Sequence, residues 1–125
     1  MYLDEYNKKQ LMSQTLECEK FSFSGMTFHA YVVKVTDGDT VHVVIKTLYG
    51  IKRFVCRILY IDTPELRNGG YPSKEEVEKF TKDKICYIHC EKFDNFGRML
   101  ITLEVDGIDL GNHLIEKKLA VKYEY

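Results

Sequence analysis

No stretch of this chain approaches the ~20 consecutive apolar residues that a membrane-spanning helix requires, and no membrane partner is expected. Nor does one sign of charge dominate, since 18 Lys and Arg face 19 Asp and Glu for a net charge of −1. That balance excludes a protein that holds nucleic acid merely by being basic all over. It leaves room for a local basic site. The first twenty residues, MYLDEYNKKQLMSQTLECEK, carry charge every few positions and contain no apolar h-region. No secretory signal is read there, so an intracellular location is expected. Cysteine is sparse: Cys18, Cys56, Cys86 and Cys90 are expected as free thiols in a reducing compartment. Internal repeats and low-complexity tracts are absent as well.

What remains is an ordinary globular composition, with 45% apolar and 30% charged residues in 125 positions. That length predicts one domain around one core. Residues 1–26 read as a polar N-terminal extension, because Leu3, Tyr6, Leu11 and Leu16 keep no clean helical period. The expectation is a loosely ordered tail, with a short docking helix as the alternative. Residues 27–125 read as the folded domain. Phe28–Thr36, Thr40–Thr47 and Ile51–Ile61 are β-branched and aromatic runs separated by turns, which predicts a three-stranded meander. Pro64 ends it, since proline donates nothing to a ladder. Asn68-Gly69-Gly70 reads as a flexible loop. Ser73 with Glu76 forms a capping-box signature for a first helix. Ile85–Glu91 and Arg98–Val105 predict strands four and five, and Asp109 is expected to cap a second helix running to about Lys118. The fold class is therefore α+β, mainly β: a five-stranded OB-type barrel with two packed helices.

Chemistry-bearing residues gather where these strands end. Asp37 and Asp39 flank Gly38, Asp62 and Glu65 follow the third strand, Arg57 lies within it, and Arg98 opens the fifth. Carboxylates without cysteine or histidine partners make a hard, oxygen-only site suited to Ca²⁺ or Mg²⁺. Two arginines beside such a site match a phosphodiester, because the planar guanidinium grips phosphate oxygens bidentately. A carboxylate not spent on metal can take a proton from water. Each residue alone has a plainer reading: Asp-Gly-Asp is usually a turn, and a strand arginine usually a solvated ion pair. The ordered set is what carries information.

That set, Asp37-Gly38-Asp39-Thr40-Val41, then Arg57-Ile58-Leu59-Tyr60-Ile61-Asp62-Thr63-Pro64-Glu65, then Phe96-Gly97-Arg98, resembles the staphylococcal (micrococcal) nuclease family over roughly residues 28–125. The segment Leu114–Tyr125 resembles the family's leucine-alanine-aromatic stretch. The resemblance implies Asp39 and Asp62 as Ca²⁺ ligands, with the Thr63 backbone carbonyl beside them and Asp37 supporting the metal site. It implies Glu65 as the water-activating group, Arg57 and Arg98 as the arginines on the scissile phosphate, and Tyr123 and Tyr125 as lining of a nucleotide pocket. The implied activity is Ca²⁺-dependent hydrolysis of DNA and RNA, single-stranded or locally unpaired, leaving 3′-phosphate ends. The family continues into a third C-terminal helix that this sequence does not contain. Residues 1–25, or a second copy of the chain in a homodimer, are expected to pack in its place.

Two other readings stand beside the enzyme. One is a non-catalytic nucleic-acid- or peptide-binding module, as in Tudor-type proteins whose related domains lose the carboxylates or arginines; all of them are retained here. The other is a zinc- or redox-responsive site at Cys86, His89 and Cys90, which strand alternation disfavours by turning position 89 away from 86 and 90. Lys46, Lys52 and Arg53 are expected to add substrate contacts. His29, His42 and His113 are expected as core or surface residues.

Overall fold

In a computed structural model that describes residues 4–124, the chain folds as a closed five-stranded barrel with mixed strand directions. Strands β1 (Thr27–Asp37), β2 (Thr40–Thr47) and β3 (Gly50–Ile58) form the expected antiparallel meander. The pairing Asp37↔Thr40 leaves Gly38-Asp39 as one hairpin tip, and Thr47↔Gly50 leaves Leu48-Tyr49 as the other. Strand β5 (Cys86–Phe93) pairs with β1, and β6 (Met99–Val105) pairs with β5. The barrel closes where β6 returns parallel to β3, from Cys56↔Met99 to Ile58↔Ile101. Closure leaves no open edge among the five long strands.

The interior follows from alternation. Cys86, Ile88 and Cys90 face inward from β5 while Tyr87 and His89 face out. They meet Val41, Val43, Ile45, Cys56, Ile58, Met99, Ile101 and Leu103, all essentially buried. Burial pushes the Cys86 and Cys90 thiols up to about 11 and Cys56 up to about 12, so these sulfurs are protonated packing groups at neutral pH. With His89 on the opposite face, the three residues of the zinc reading do not converge.

Two helices pack on the barrel. Helix α2 (Tyr71–Thr81) lies against β1 through Ser73, Val77 and Thr81, and α3 (Leu110–Glu116) buries Leu110, Gly111 and Leu114. Asp109 caps α3 as expected, accepting from the Asn112 amide at 2.9 Å. The helix stops at Glu116, short of Lys118, in a Schellman arrangement: Lys118 takes φ +60°, its amide bonds to the Ile115 carbonyl, and that of Leu119 bonds to Leu114 at 2.8 Å. A two-residue strand β7 (Ile108–Asp109) precedes α3 and pairs with β6.

Further local details refine these expectations. The run Ile51–Ile61 is not one strand: Tyr60 adopts φ +69°, and the chain kinks into β4 (Ile61–Asp62), which pairs with β8 (Val121–Lys122) in a separate small sheet. Ser73 is not an N-cap. Gly70 occupies that position, Pro72 sits in the first turn, and the buried Ser73 hydroxyl donates to the Leu119 carbonyl at 2.5 Å. Glu76 accordingly makes no capping box and faces α3 instead. The Asn68-Gly69-Gly70 loop begins in a 3₁₀ turn, Leu66–Asn68. Finally, the N-terminal segment contains helix α1 (Glu5–Met12), which Asp4 caps by accepting from the Asn7 amide at 2.8 Å; none of its residues is buried. Phe23, which the sequence assigns to the extension, stacks edge-on against Phe28 and Phe54 at 5.3 and 5.6 Å and packs on the core. No helix among the described residues is long and apolar enough to cross a membrane.

Candidate active site

The β1–β2 hairpin tip builds the first wall of the site. The Asp39 amide donates to Asp37 Oδ1 at 3.1 Å, fixing the turn. Gly38 is required there by space, since a Cβ would lie 2.7 Å from Ser73 Cβ and 2.8 Å from Thr63 Cγ2. The turn is thus pressed onto α2 and onto the segment after β4. Because Thr40 pairs with Arg57 across β2 and β3, Asp39 is delivered beside the guanidinium. The Ile58 amide donating to the Asp39 carbonyl at 2.8 Å locks that register.

Arg57 is 8% exposed and sits between two carboxylates. Nη1 lies 3.3 Å from Asp39 Oδ2 and Nη2 lies 3.6 Å from Asp62 Oδ1, while Nη1 also donates to the Ile58 carbonyl at 2.8 Å. Asp39, itself 7% exposed, accepts further bonds from the Thr40 hydroxyl at 3.2 Å and the Thr63 amide at 3.2 Å. Burial alone would raise the Asp39 carboxyl, but the hydrogen bond with Asp37, the Arg57 charge and these donors together hold it below the ordinary carboxylate range. Asp37 goes the other way: burial, then the neighbouring Asp39 carboxylate, pushes it up to about 6. Two carboxylates one residue apart are therefore driven to opposite protonation tendencies.

The kink at Tyr60 turns Asp62 toward Arg57, and β8 holds it there through the pair Asp62↔Val121. A cavity of about 380 Å³ opens alongside, lined by Asp62, Thr63, Pro64, Ser73, Lys118 and Leu119 among others. Tyr123 lies two residues past Val121, donates its amide to the Tyr60 carbonyl at 2.9 Å, and lines a separate cavity of about 240 Å³ with Tyr60 and Ile61. Tyr125 lies outside the described residues. Glu65 is exposed at the start of the 3₁₀ turn and pairs with Arg67 at 3.4 Å. Arg98, half-buried, opens β6 beside the end of β3 and is held by Asp94: Nε to Oδ2 at 2.8 Å, with the Phe96 and Arg98 amides both donating to Oδ1 at 2.9 Å. Its guanidinium also lies 5.7 Å from the centre of the Phe96 ring.

The structure thus gathers Asp37, Asp39, Arg57, Asp62 and Thr63 into one cluster. It leaves Glu65 and Arg98 on separate supports. Sequence reasoning missed four contributors. Thr40 was read only as part of the Asp37–Val41 motif, with no role of its own, and Ser73 only as a helix cap. Asp94 was legible only as a turn residue, although an Asp two to four residues ahead of exposed amides is the signature of such a clamp. Lys118 was hidden inside a predicted helix.

The donor chemistry fits a hard cation. Asp39 and Asp62 both reach one cationic group, their oxygens are the ligand type Ca²⁺ prefers, and the buried Thr63 Oγ1 has no hydrogen-bond partner among the described residues. No group of three or more His, Cys, Asp or Glu side chains converges among the described residues, so water would complete any coordination sphere there.

No family model matches the chain. A curated relative, endonuclease YncB of Bacillus subtilis (strain 168), is 28% identical over 130 aligned positions, which take in 95% of this chain and 52% of the relative. The chain spans about half the length of that relative.

Proposed function

We propose that the chain is a Ca²⁺-dependent nuclease that hydrolyses phosphodiester bonds of DNA and RNA at the Asp39–Arg57–Asp62 cluster. The observation that carries this reading is a buried arginine bridged by two carboxylates at the mouth of a rigid barrel. The naming of the relative as an endonuclease supports it. So does the motif resemblance to the staphylococcal nuclease family.

Asp39, Asp62 and the Thr63 carbonyl would hold the cation, with Asp37 behind them. Bound there, Ca²⁺ supplies Lewis-acid polarisation of the phosphoryl oxygen. Arg57 donates its planar fork to the non-bridging phosphate oxygens, where charge accumulates during displacement. Arg98 supplies a second guanidinium as the substrate draws it from Asp94. Glu65, exposed and paired among the described residues only with the exposed Arg67, takes the proton from the attacking water. Tyr123 stacks on the adjacent base or sugar. In-line attack with loss of the 5′ oxygen leaves a 3′-phosphate.

Digestion of plasmid, single-stranded DNA and RNA with Ca²⁺, Mg²⁺ or chelator tests the reading. Cleavage is expected in Ca²⁺ and none with chelator, with labelled products ending in 3′-phosphate. Glu65→Gln is expected to lower kcat by ~10²-fold or more. Undiminished cleavage by Glu65→Gln refutes that assignment. A well-folded, Ca²⁺-saturated chain that binds strands without cutting them favours the binding module.

A further inference from the structure

Charge is divided unevenly along this nearly neutral chain. Residues 27–58, the whole meander, contain Lys34, Lys46, Lys52, Arg53 and Arg57 but only two acids, Asp37 and Asp39, both committed to the site. The structure sorts these cations by face. Lys52 pairs with the inward-facing Ile45 and projects from the hairpin end. On the outer face, Val44 pairs with Arg53 and with Tyr31, and His42 pairs with Val55 and with Lys34. Lys46 continues the same face toward the Leu48-Tyr49 tip, where the two side chains are 99% and 84% exposed. Lys34, Lys46 and Arg53 are exposed, and none makes an ion pair among the described residues.

The geometry of this face points along one line. Arg53, Val55 and Arg57 alternate on one side of β3, so Arg53 lies about 13 Å from Arg57 at the usual strand rise. Arg53 is steadied by His42, with Nη1 2.6 Å from Nδ1. Burial, then the Arg53 and Lys34 charges, lower the imidazole's proton affinity. The ring thus stays neutral and able to accept from Arg53 instead of adding repulsion. Glu75 and Glu78 lie across a groove from Lys34, where Lys79 and Lys82 also lie, and Asp39 and Asp62 meet Arg57 at the far end of this face.

We propose that the outer face of the meander, through Lys34, Lys46 and Arg53 with Tyr49 at its tip, is a docking track for single-stranded nucleic acid leading into the Arg57 site. Exposed cations on one face, with no acid paired to them among the described residues, attract a polyanion by releasing its counterions. An exposed aromatic at the end gives an unpaired base a platform, which a duplex cannot use. This inference rests on the nucleic-acid reading of the site.

The test is binding of a fluorescent 20-nucleotide dT strand by the full chain in chelator, across a salt series, alongside Ca²⁺-dependent cleavage of the same strand. Lys34→Gln/Lys46→Gln/Arg53→Gln is expected to weaken binding ~10-fold or more at low salt and to flatten the log–log salt slope by about 2, at roughly 0.7 per single-strand phosphate contact. Tyr49→Ala, at an exposed turn where folding is not at stake, is expected to weaken binding about fivefold or more. Lys84→Gln, which removes a cation outside the meander that is already paired with Asp106 at 2.9 Å, is expected to retain wild-type affinity and slope. If the wild type binds and cleaves but the triple variant keeps its affinity and slope, the track is overturned and the catalytic reading survives. Binding with the expected slope change but no cleavage overturns the catalytic reading and leaves the track. A wild type that binds no strand overturns both.

Discussion

Arg57 is the residue on which stability turns and, in the proposed reading, chemistry as well. It neutralises a buried Asp39 and an adjacent Asp62, so removing it leaves a buried carboxylate without its counter-charge. Arg57→Ala is expected to cost about 3 kcal/mol in denaturant unfolding. Arg57→Lys keeps a charge but loses the fork, so most of the stability should persist while cleavage falls ~10²-fold. Equal losses of stability and activity in both variants would show a purely structural arginine. The grouping of Asp39, Arg57 and Asp62 was legible in the sequence, because turn and strand-end positions fix where those side chains emerge. The grip of Asp94 on Arg98 was not, since a single turn aspartate looks alike whether its side chain faces solvent or a guanidinium. Glu65 was legible as a residue type following the strand, while its pairing with Arg67 depends on the 3₁₀ turn that follows.

Helices α2 and α3 do their work by clamping the chain around the site. Glu76 joins them, accepting from His113 at 2.9 Å and Lys117 at 3.4 Å. The His113 bond first, and Lys117 with it, holds the Glu76 carboxyl below its ordinary value near 4.5 despite opposing desolvation. A depressed folded-state value means that the stabilisation is present above about pH 4.5 and is lost as pH falls through the folded-state value. Glu76→Gln should therefore cost about 1 kcal/mol at pH 7 and progressively less as pH falls through the folded-state value, read from paired melts. At the end of α3, Lys118 holds a left-handed conformation that strains any residue with a Cβ. Lys118→Gly is expected to gain about 1 kcal/mol, or roughly 4 °C in Tm, and to raise KM by removing a cation from the cavity beside Asp62. A fall in Tm would overturn this account of the cap. The sequence predicted both helices from their capping signals, Ser73 with Glu76 and Asp109. It misplaced their ends because Gly70 and Lys118 act through backbone geometry, and a buried Ser73 looks like a cap until its hydroxyl is seen bonded to Leu119.

At the scale of the molecule, one barrel closure explains both site and track. The parallel β3–β6 pairing places the Arg57 end of β3 next to the start of β6, which carries Arg98, and the Tyr60 kink hands the chain to a small second sheet that steadies Asp62. The five long strands and the meander of the first three were readable from β-branched and aromatic runs between turns. The kink was not, since Ile51–Ile61 is uniformly strand-like and only the tertiary demand for β4 to meet β8 breaks it. The neutral total charge concealed a basic meander set against an acidic remainder. The most direct measurement of the central claim is the Ca²⁺-dependent cleavage rate of single-stranded DNA by Asp62→Asn beside the wild type, with melts of both. The expected result is wild-type cleavage that chelator abolishes, a rate at least ~10²-fold lower in Asp62→Asn, and closely similar melting temperatures. Cleavage by Asp62→Asn at the wild-type rate, or wild-type cleavage that persists in chelator, would contradict it.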